Sequence, residues 1–201
     1  MVESAEAIYQ RALQAADAAG RLPMPSVADW DTFPFDGVLR VRPLEPPAEV
    51  DRPREGEDAA DCWRCRQGDS DAIWSNQHWI VAPLAKPSGL PVVVILFSRG
   101  HYDLGDLPTD VLTGLGPLIQ RIERTIVSLG EIGRVHVCRW GDGSAHFHTW
   151  FFGRPARLPQ TVGSFASIWA DILPPVPEST WRATLAELGR RLAVAVEIDA
   201  G

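Results

Sequence analysis

Residues 91–97 read Pro-Val-Val-Val-Ile-Leu-Phe, an unbroken apolar run dominated by β-branched side chains. A run of that length is too short for an ordinary helix, and its composition suits a strand buried on both faces. Such a strand belongs in the middle of a sheet, so the remaining chain must supply its neighbours and its covering layers. The neighbours are predicted at residues 72–75 and 79–83, around a turn at Asn76-Gln77, and at residues 135–139 and 146–152, around a Gly-rich turn at 140–145. Covering helices are predicted at two places. Residues 108–128 carry Val111, Leu115, Leu118, Ile122 and Ile126 on one stripe, with Pro108 near the start and Pro117 as a site of bending. Residues 178–196 carry Trp181, Leu185, Leu188 and Leu192 at helical spacing, with Ser179 as the cap. The class is therefore α+β: an antiparallel sheet of about five strands with a connecting helix.

The first 60 residues follow a different pattern. Residues 3–19 are predicted to form an amphipathic helix stopped by Gly20 and Pro23. Prolines 23, 25, 34, 43, 46, 47 and 53 then forbid a long helix, although residues 37–41 (GVLRV) suit a short strand and residues 45–61 a solvated loop. The expected division is an extension at 1–60 wrapped on the core, a core at 61–157, and a C-terminal loop and helix at 158–201 packing on it. A chain of 201 residues has room for one full core. A net charge of −7 argues against nucleic acid as a partner. No apolar run reaches the roughly 18 residues of a membrane span. The acidic N-terminus (MVESAEAIYQ) resembles neither a secretory signal nor a transit peptide, so a cytoplasmic location is expected.

Three cysteines make no disulfide scaffold, which leaves three Cys and five His to explain one by one. Cys62-Trp63-Arg64-Cys65 is a C-x2-C pair, compatible with half a zinc site, a redox pair or chance. A redox pair normally opens a helix after a strand, whereas an acidic Pro-rich loop precedes this one. A tetrahedral zinc site needs two more ligands, with His78, His101, His136, His146, His148 and Cys138 as candidates. The segment Ser-Ala-His-Phe-His-Thr-Trp-Phe-Phe-Gly-Arg-Pro at 144–155 is the most informative. In a strand, His146, His148, Trp150 and Phe152 share one face, while Phe147, Thr149 and Phe151 share the other. One histidine can then bind a metal while its neighbour stays free as a nucleophile or base. Equally, one can be a core residue and the other a surface one.

The run His146-Phe147-His148-Thr149-Trp150-Phe151-Phe152 resembles the H-φ-H-φ-H-φ-φ signature of the histidine-triad superfamily, and residues 97–108 (FSRGHYDLGDLP) are similar to its metal-binding strand end. The resemblance spans residues 62–155 and is nearest to the galactose-1-phosphate uridylyltransferase branch. It implies a zinc ion (Zn2+) on Cys62, Cys65, His101 and His146. It also implies that His148 is a nucleophile whose orientation is set by a backbone carbonyl. The activity implied is hydrolysis or transfer of a nucleoside monophosphate group, as an ester, anhydride or amidate, through a covalent nucleotidyl-histidine; the alternative is a zinc-stabilised nucleotide-binding or regulatory protein with little or no turnover. A homodimer is the implied assembly.

Two departures bear on this reading. The third histidine of the signature is Trp150, which has no acidic proton to give a leaving group, and the Gly-His that many members carry at the start of the central strand is absent. Trp150 is read either as stacking on a base or sugar or as core. Around the signature, Ser144 and the amide of Gly143 are candidates for an anion-binding nest, Arg139 for stabilising developing charge, and Trp74 and Asn76 for contacts to base and ribose. Core packing and ordinary turn roles are the competing readings for these residues. Cys138 is expected to act as a small buried hydrophobe.

Overall fold

The computed structural model describes residues 3–199, and the chain falls into two compact units, Met1–Arg52 and Pro53–Gly201. In the first unit, helix α1 (Ala5–Ala15) begins where the Ser4 hydroxyl accepts the Ala7 N–H at 3.2 Å. It stops before the position predicted from Gly20, because Asp17 folds back: its carboxylate accepts the N–H groups of Ala19 and Arg21. A 3-10 turn follows at Ser26–Asp29. The strand expected at residues 37–41 does not form. Its Val38 is 90% exposed and the segment pairs with no strand, so its β-branched residues have no surface to pack on.

The second unit takes in residues 53–60 together with the sheet. Its elements run α2 (Trp63–Gln67), β1 (Trp74–Ser75), β2 (Trp79–Pro83), β3 (Val92–Ser98), α3 (Thr109–Ser128), β4 (Ile132–Cys138), β5 (His148–Pro155), α4 (Ala166–Ile172) and α5 (Glu178–Asp199). The sheet is antiparallel throughout, in the order β1-β2-β3-β5-β4. Strand β3 is central and buried at every position, as its unbroken apolar run requires. Helix α3 continues through Pro117. Among the described residues, no helix is long and apolar enough to cross a membrane.

Strand parity sorts the core into two layers. Val81, Val94, Leu96, Phe147 and Phe151 point to one face and pack with Leu115 and Ile122 of α3 and Leu188 and Leu192 of α5. The alternate set, Ile80, Ala82, Ile95 and Phe97 with Val93 and Phe152, points to the other face. Helix α4 covers part of that second face, where Ala170 packs with Leu90, Val93 and Phe152. The sequence reading contains no helix there, since seven residues between Phe165 and Leu173 are too few to show a helical stripe.

Glycine marks one of the close approaches in this packing. A Cβ at Gly189 would overlap the Ile73 carbonyl, while one at Gly114 would meet nothing within 4 Å. Ala gains about 1 kcal/mol of helix propensity over Gly, but a hard overlap in a packed interface costs ~1–3 kcal/mol. Gly189→Ala is therefore expected to lower the urea midpoint, with a net loss of up to about 2 kcal/mol, and Gly114→Ala to raise it.

Candidate metal centre and histidine site

Cys62 caps α2 and Cys65 lies three residues on, which puts both thiols on one side of a single helical turn. This short helix is held from outside. The Glu55 carboxylate accepts the Trp63 N–H at 2.6 Å, and Gly56, at φ +74°, passes so close to Cys62 that an added Cβ would sit 3.2 Å from its Sγ. Arg64, between the two cysteines, is 2% exposed and pairs with Asp71 at 2.8 Å. Its guanidinium lies 4.9 Å from the Phe97 ring centroid, so it ties the cysteine turn to the end of β3. In the sequence, Arg64 shows only as a charged residue between two candidate ligands, which gives no sign of this role.

The histidines arrive from the sheet. Beyond β3, the Ser98 hydroxyl donates to the Gly100 carbonyl and closes the turn that presents His101. His146 lies two residues ahead of β5 and is almost fully buried. Its Nε2–H donates to the Ser98 carbonyl at 2.7 Å, which fixes the tautomer and leaves the Nδ1 lone pair facing the thiols. Nδ1 of His146 is 3.4 Å from Cys62 Sγ and 3.5 Å from Cys65 Sγ, and Nδ1 of His101 is 3.4 Å from Cys65 Sγ. All four donor atoms lie within 4.8 Å of one another. Tetrahedral zinc, with Zn–S near 2.3 Å and Zn–N near 2.0–2.1 Å, sets its ligand atoms about 3.3–3.8 Å apart. A Cys2His2 donor set at this spacing fits zinc. Burial, outweighing the Ser98 bond, lowers the His146 pKa and keeps the ring neutral, the form that ligates a metal.

His148 opens β5 and registers opposite Phe97, with the ring centroids 6.3 Å apart. Its Nδ1–H donates to the His146 carbonyl at 2.9 Å, so Nε2 is the nitrogen that carries a free lone pair. Trp150 follows on the same face, stacked on Phe152 at 5.7 Å and edge-on to Trp140 at 6.3 Å. These aromatics, with Leu84, Val93 and Asp171, line a cavity of about 300 Å³ beneath α4.

The other sequence candidates have protein partners of their own. The Ser144 hydroxyl donates to the Glu55 carboxylate at 3.3 Å and accepts the His146 N–H at 3.2 Å. The Gly143 carbonyl accepts the Glu55 N–H at 3.0 Å, so the Gly-rich turn is tied to the segment ahead of α2. Arg139 pairs with Asp103, which also receives Arg54 at 2.5 Å. Burial would raise the Asp103 pKa, but the Arg54 bond, the Leu104 N–H and the Arg139 charge together hold it below the usual carboxylate value. Trp74 lies in the helix-covered layer with Arg121 over its ring, on the opposite face from His148. The Asn76 side chain accepts the N–H groups of His78 and Trp79 and closes the β1–β2 hairpin. The structure thus brings Cys62, Cys65, His101, His146, His148 and Trp150 into one neighbourhood and sets Trp74 and Asn76 apart from it.

No protein-family model and no curated protein matches the sequence. Solved structures do match. A histidine triad protein from Marinobacter aquaeolei aligns at TM-score 0.50 and 19% identity, covering 64% of this chain and 94% of its own. A histidine triad protein from Sinorhizobium meliloti aligns at TM-score 0.50 and 13% identity, covering 63% and 93%. The fold is that of the histidine-triad proteins. A zinc-bound histidine triad family protein from Mycobacterium smegmatis also aligns, at TM-score 0.49 and 19% identity, covering 68% and 99%.

Proposed function

We propose that this chain is a zinc-carrying histidine-triad protein that hydrolyses or transfers a nucleoside monophosphate group, with His148 as its nucleophile. The observation that carries the reading is the bond from His148 Nδ1–H to the His146 carbonyl. It holds the imidazole in the tautomer whose Nε2 lone pair can attack phosphorus. In that step Nε2 forms an N–P bond to the α-phosphorus as the leaving group departs with its electron pair. Water or a second acceptor then attacks phosphorus, loses its proton, and returns Nε2 to the free imidazole. Zinc, where bound, supplies a structural cross-link between the cysteine turn and the sheet. The Ser98 carbonyl at the end of β3 aligns the His146 ring and the His146 carbonyl aligns the His148 ring, so the metal ligand and the nucleophile are each set by a backbone acceptor.

A second reading, a nucleotide-binding module without turnover, is favoured by specific contacts. Trp150 has no proton to donate, and the Ser144 hydroxyl and Arg139 guanidinium already have partners in Glu55 and Asp103. One experiment separates the two. The zinc-loaded protein is incubated with nucleoside phosphoramidates, nucleotide sugars and dinucleoside polyphosphates, and intact mass and released product are recorded. The enzyme reading expects either a protein adduct of one nucleoside monophosphate or a freed leaving group. Neither product in any of the three classes, from fully metallated protein, leaves the binding module.

A further inference from the structure

His146 and His101 are held in different ways. The His146 ring is aligned through its own Nε2–H, on the Ser98 carbonyl. A metal-ligating histidine ordinarily has such an acceptor behind it. For His101 the arrangement differs: its Nδ1 faces Cys65 Sγ at 3.4 Å, and among the described residues no protein group bonds its Nε2. The orientation of that ring must therefore come from the loop that carries it. The loop enters on a fixed backbone, since the Arg99 N–H donates to the His78 carbonyl at 2.7 Å. It leaves through Tyr102, whose carbonyl accepts the Phe147 N–H at 2.6 Å, and then through Asp103, two residues beyond His101. The Asp103 carboxylate receives Arg54 at 2.5 Å on one oxygen and Arg139 on the other. Arg54 belongs to the segment leading to Cys62, and the adjoining Glu55 holds the first N–H of α2. Arg139 opens the turn that leads to His146, and the Arg54 guanidinium also donates to the Gly141 carbonyl in that turn at 3.4 Å. One carboxylate thus joins the three stretches of chain that deliver the four donor atoms.

We propose that Asp103 is a positioning residue for the metal centre, one that sets His101 against the two thiols by clamping its loop between Arg54 and Arg139. The inference rests on the zinc reading above. Asp103 also has a local role: it accepts the Leu104 N–H at 2.6 Å and so caps the short 3-10 turn Leu104–Asp106. Chemistry separates the two roles. Asn at this position keeps an oxygen for the Leu104 N–H but offers the guanidinium groups no charge. Partly exposed ion pairs contribute little to global stability. Their loss is therefore felt where geometry is demanding, at a ligand of a tetrahedral site, more than in the fold as a whole.

The test uses the full chain, stripped of metal and titrated with zinc against a chromophoric chelator, with cobalt(II) as a spectroscopic probe of the tetrahedral site. Asp103→Asn is expected to take up zinc at the parent's stoichiometry but with an affinity roughly 10–100-fold lower. Its visible cobalt bands should shift, while its metal-free thermal midpoint stays near that of the parent. Arg139→Ala is expected to weaken zinc in the same direction, and adding it to Asp103→Asn to cost little more, because both act through one clamp. Zinc bound by Asp103→Asn as tightly as by the parent overturns the proposal. Should Asp103→Asn not fold without metal, Arg54→Ala, which removes one arm of the clamp and leaves the cap, decides by the same measurements; parent-like affinity there overturns it. A parent chain that takes up no zinc overturns the zinc reading and this proposal with it. A parent that binds zinc stoichiometrically, beside an unaffected Asp103→Asn, overturns this proposal alone.

Discussion

Cys62→Ser is expected to remove the metal and most of the chain's resistance to heat and denaturant. Cys62 is fully buried, and its Sγ is 3.4 Å from His146 Nδ1, so the substitution withdraws a ligand from the inside of the site. Structural zinc contributes apparent binding free energies of roughly 10–16 kcal/mol in small domains, against a typical total stability of about 5–15 kcal/mol. The sheet and its two covering helices persist without the metal, so the loss is expected to be several kcal/mol and to leave a foldable remainder. The cysteine turn should open first, because α2 is one short helix held by Glu55, Arg64 and the metal ligands. The measurements are metal content per chain and the thermal midpoint, each repeated on the parent protein with a chelator. A parent chain that binds zinc at full stoichiometry and keeps its midpoint when stripped would refute the structural role.

The same site predicts a pH dependence with opposite signs in the two states. Burial first, then the bond and charge of Cys62, push the metal-free Cys65 thiol up to about 11. Although the residue is exposed, its Sγ turns toward His101 and His146. A pKa raised above the unfolded value means the protonated thiol favours the fold. That contribution is fully present below about pH 9 and is lost as pH rises toward 11. Metal binding requires the thiolate, so zinc uptake at neutral pH releases the Cys65 proton. The affinity should accordingly rise with pH across the range in which the metal-free fold is weakened by it.

The sheet is legible in the sequence because its strands are short, apolar and separated by turn residues, and because β3 is apolar at every position. Helices α3 and α5 are legible from their stripes. Elements without an internal pattern are not: α2 exists because Glu55 accepts its first N–H, and α4 because Ala170 packs on Phe152. The 37–41 segment carries the right residues for a strand and lacks the neighbour that would make it one. In the site, the C-x2-C spacing is local and visible, but Cys62 and His146 are separated by 84 positions. Only the folded sheet or a family resemblance can join them. The placement of Trp74 was hidden for a similar reason. A two-residue strand has no alternation to read, and its face is set by pairing with Val81.

His148→Ala is expected to abolish turnover and any nucleotidylated species while leaving zinc content and the thermal midpoint near those of the parent. Nδ1–H of His148 donates to a carbonyl, and no metal-site contact depends on the ring, so its removal leaves the Cys2His2 cluster in place. Loss of a nucleophile costs on the order of 10⁴-fold or more in rate, because the residual reaction must use water directly. His146→Ala reverses the order of effects. It withdraws Nδ1 from both thiols and Nε2–H from the Ser98 carbonyl, so metal and stability fall before any catalytic defect can be separated from them. Trp150→His sharpens the test at the third position. It replaces an indole, which holds its proton at neutral pH, with a group whose ordinary pKa near 6.5 allows proton transfer to a leaving group. Faster release of a poor leaving group in Trp150→His, with unchanged adduct formation from a good one, would show that the parent chain lacks the acid and retains the nucleophile. No adduct from either protein, with both fully metallated, would remove His148 from the chemistry and leave the chain a nucleotide-binding module.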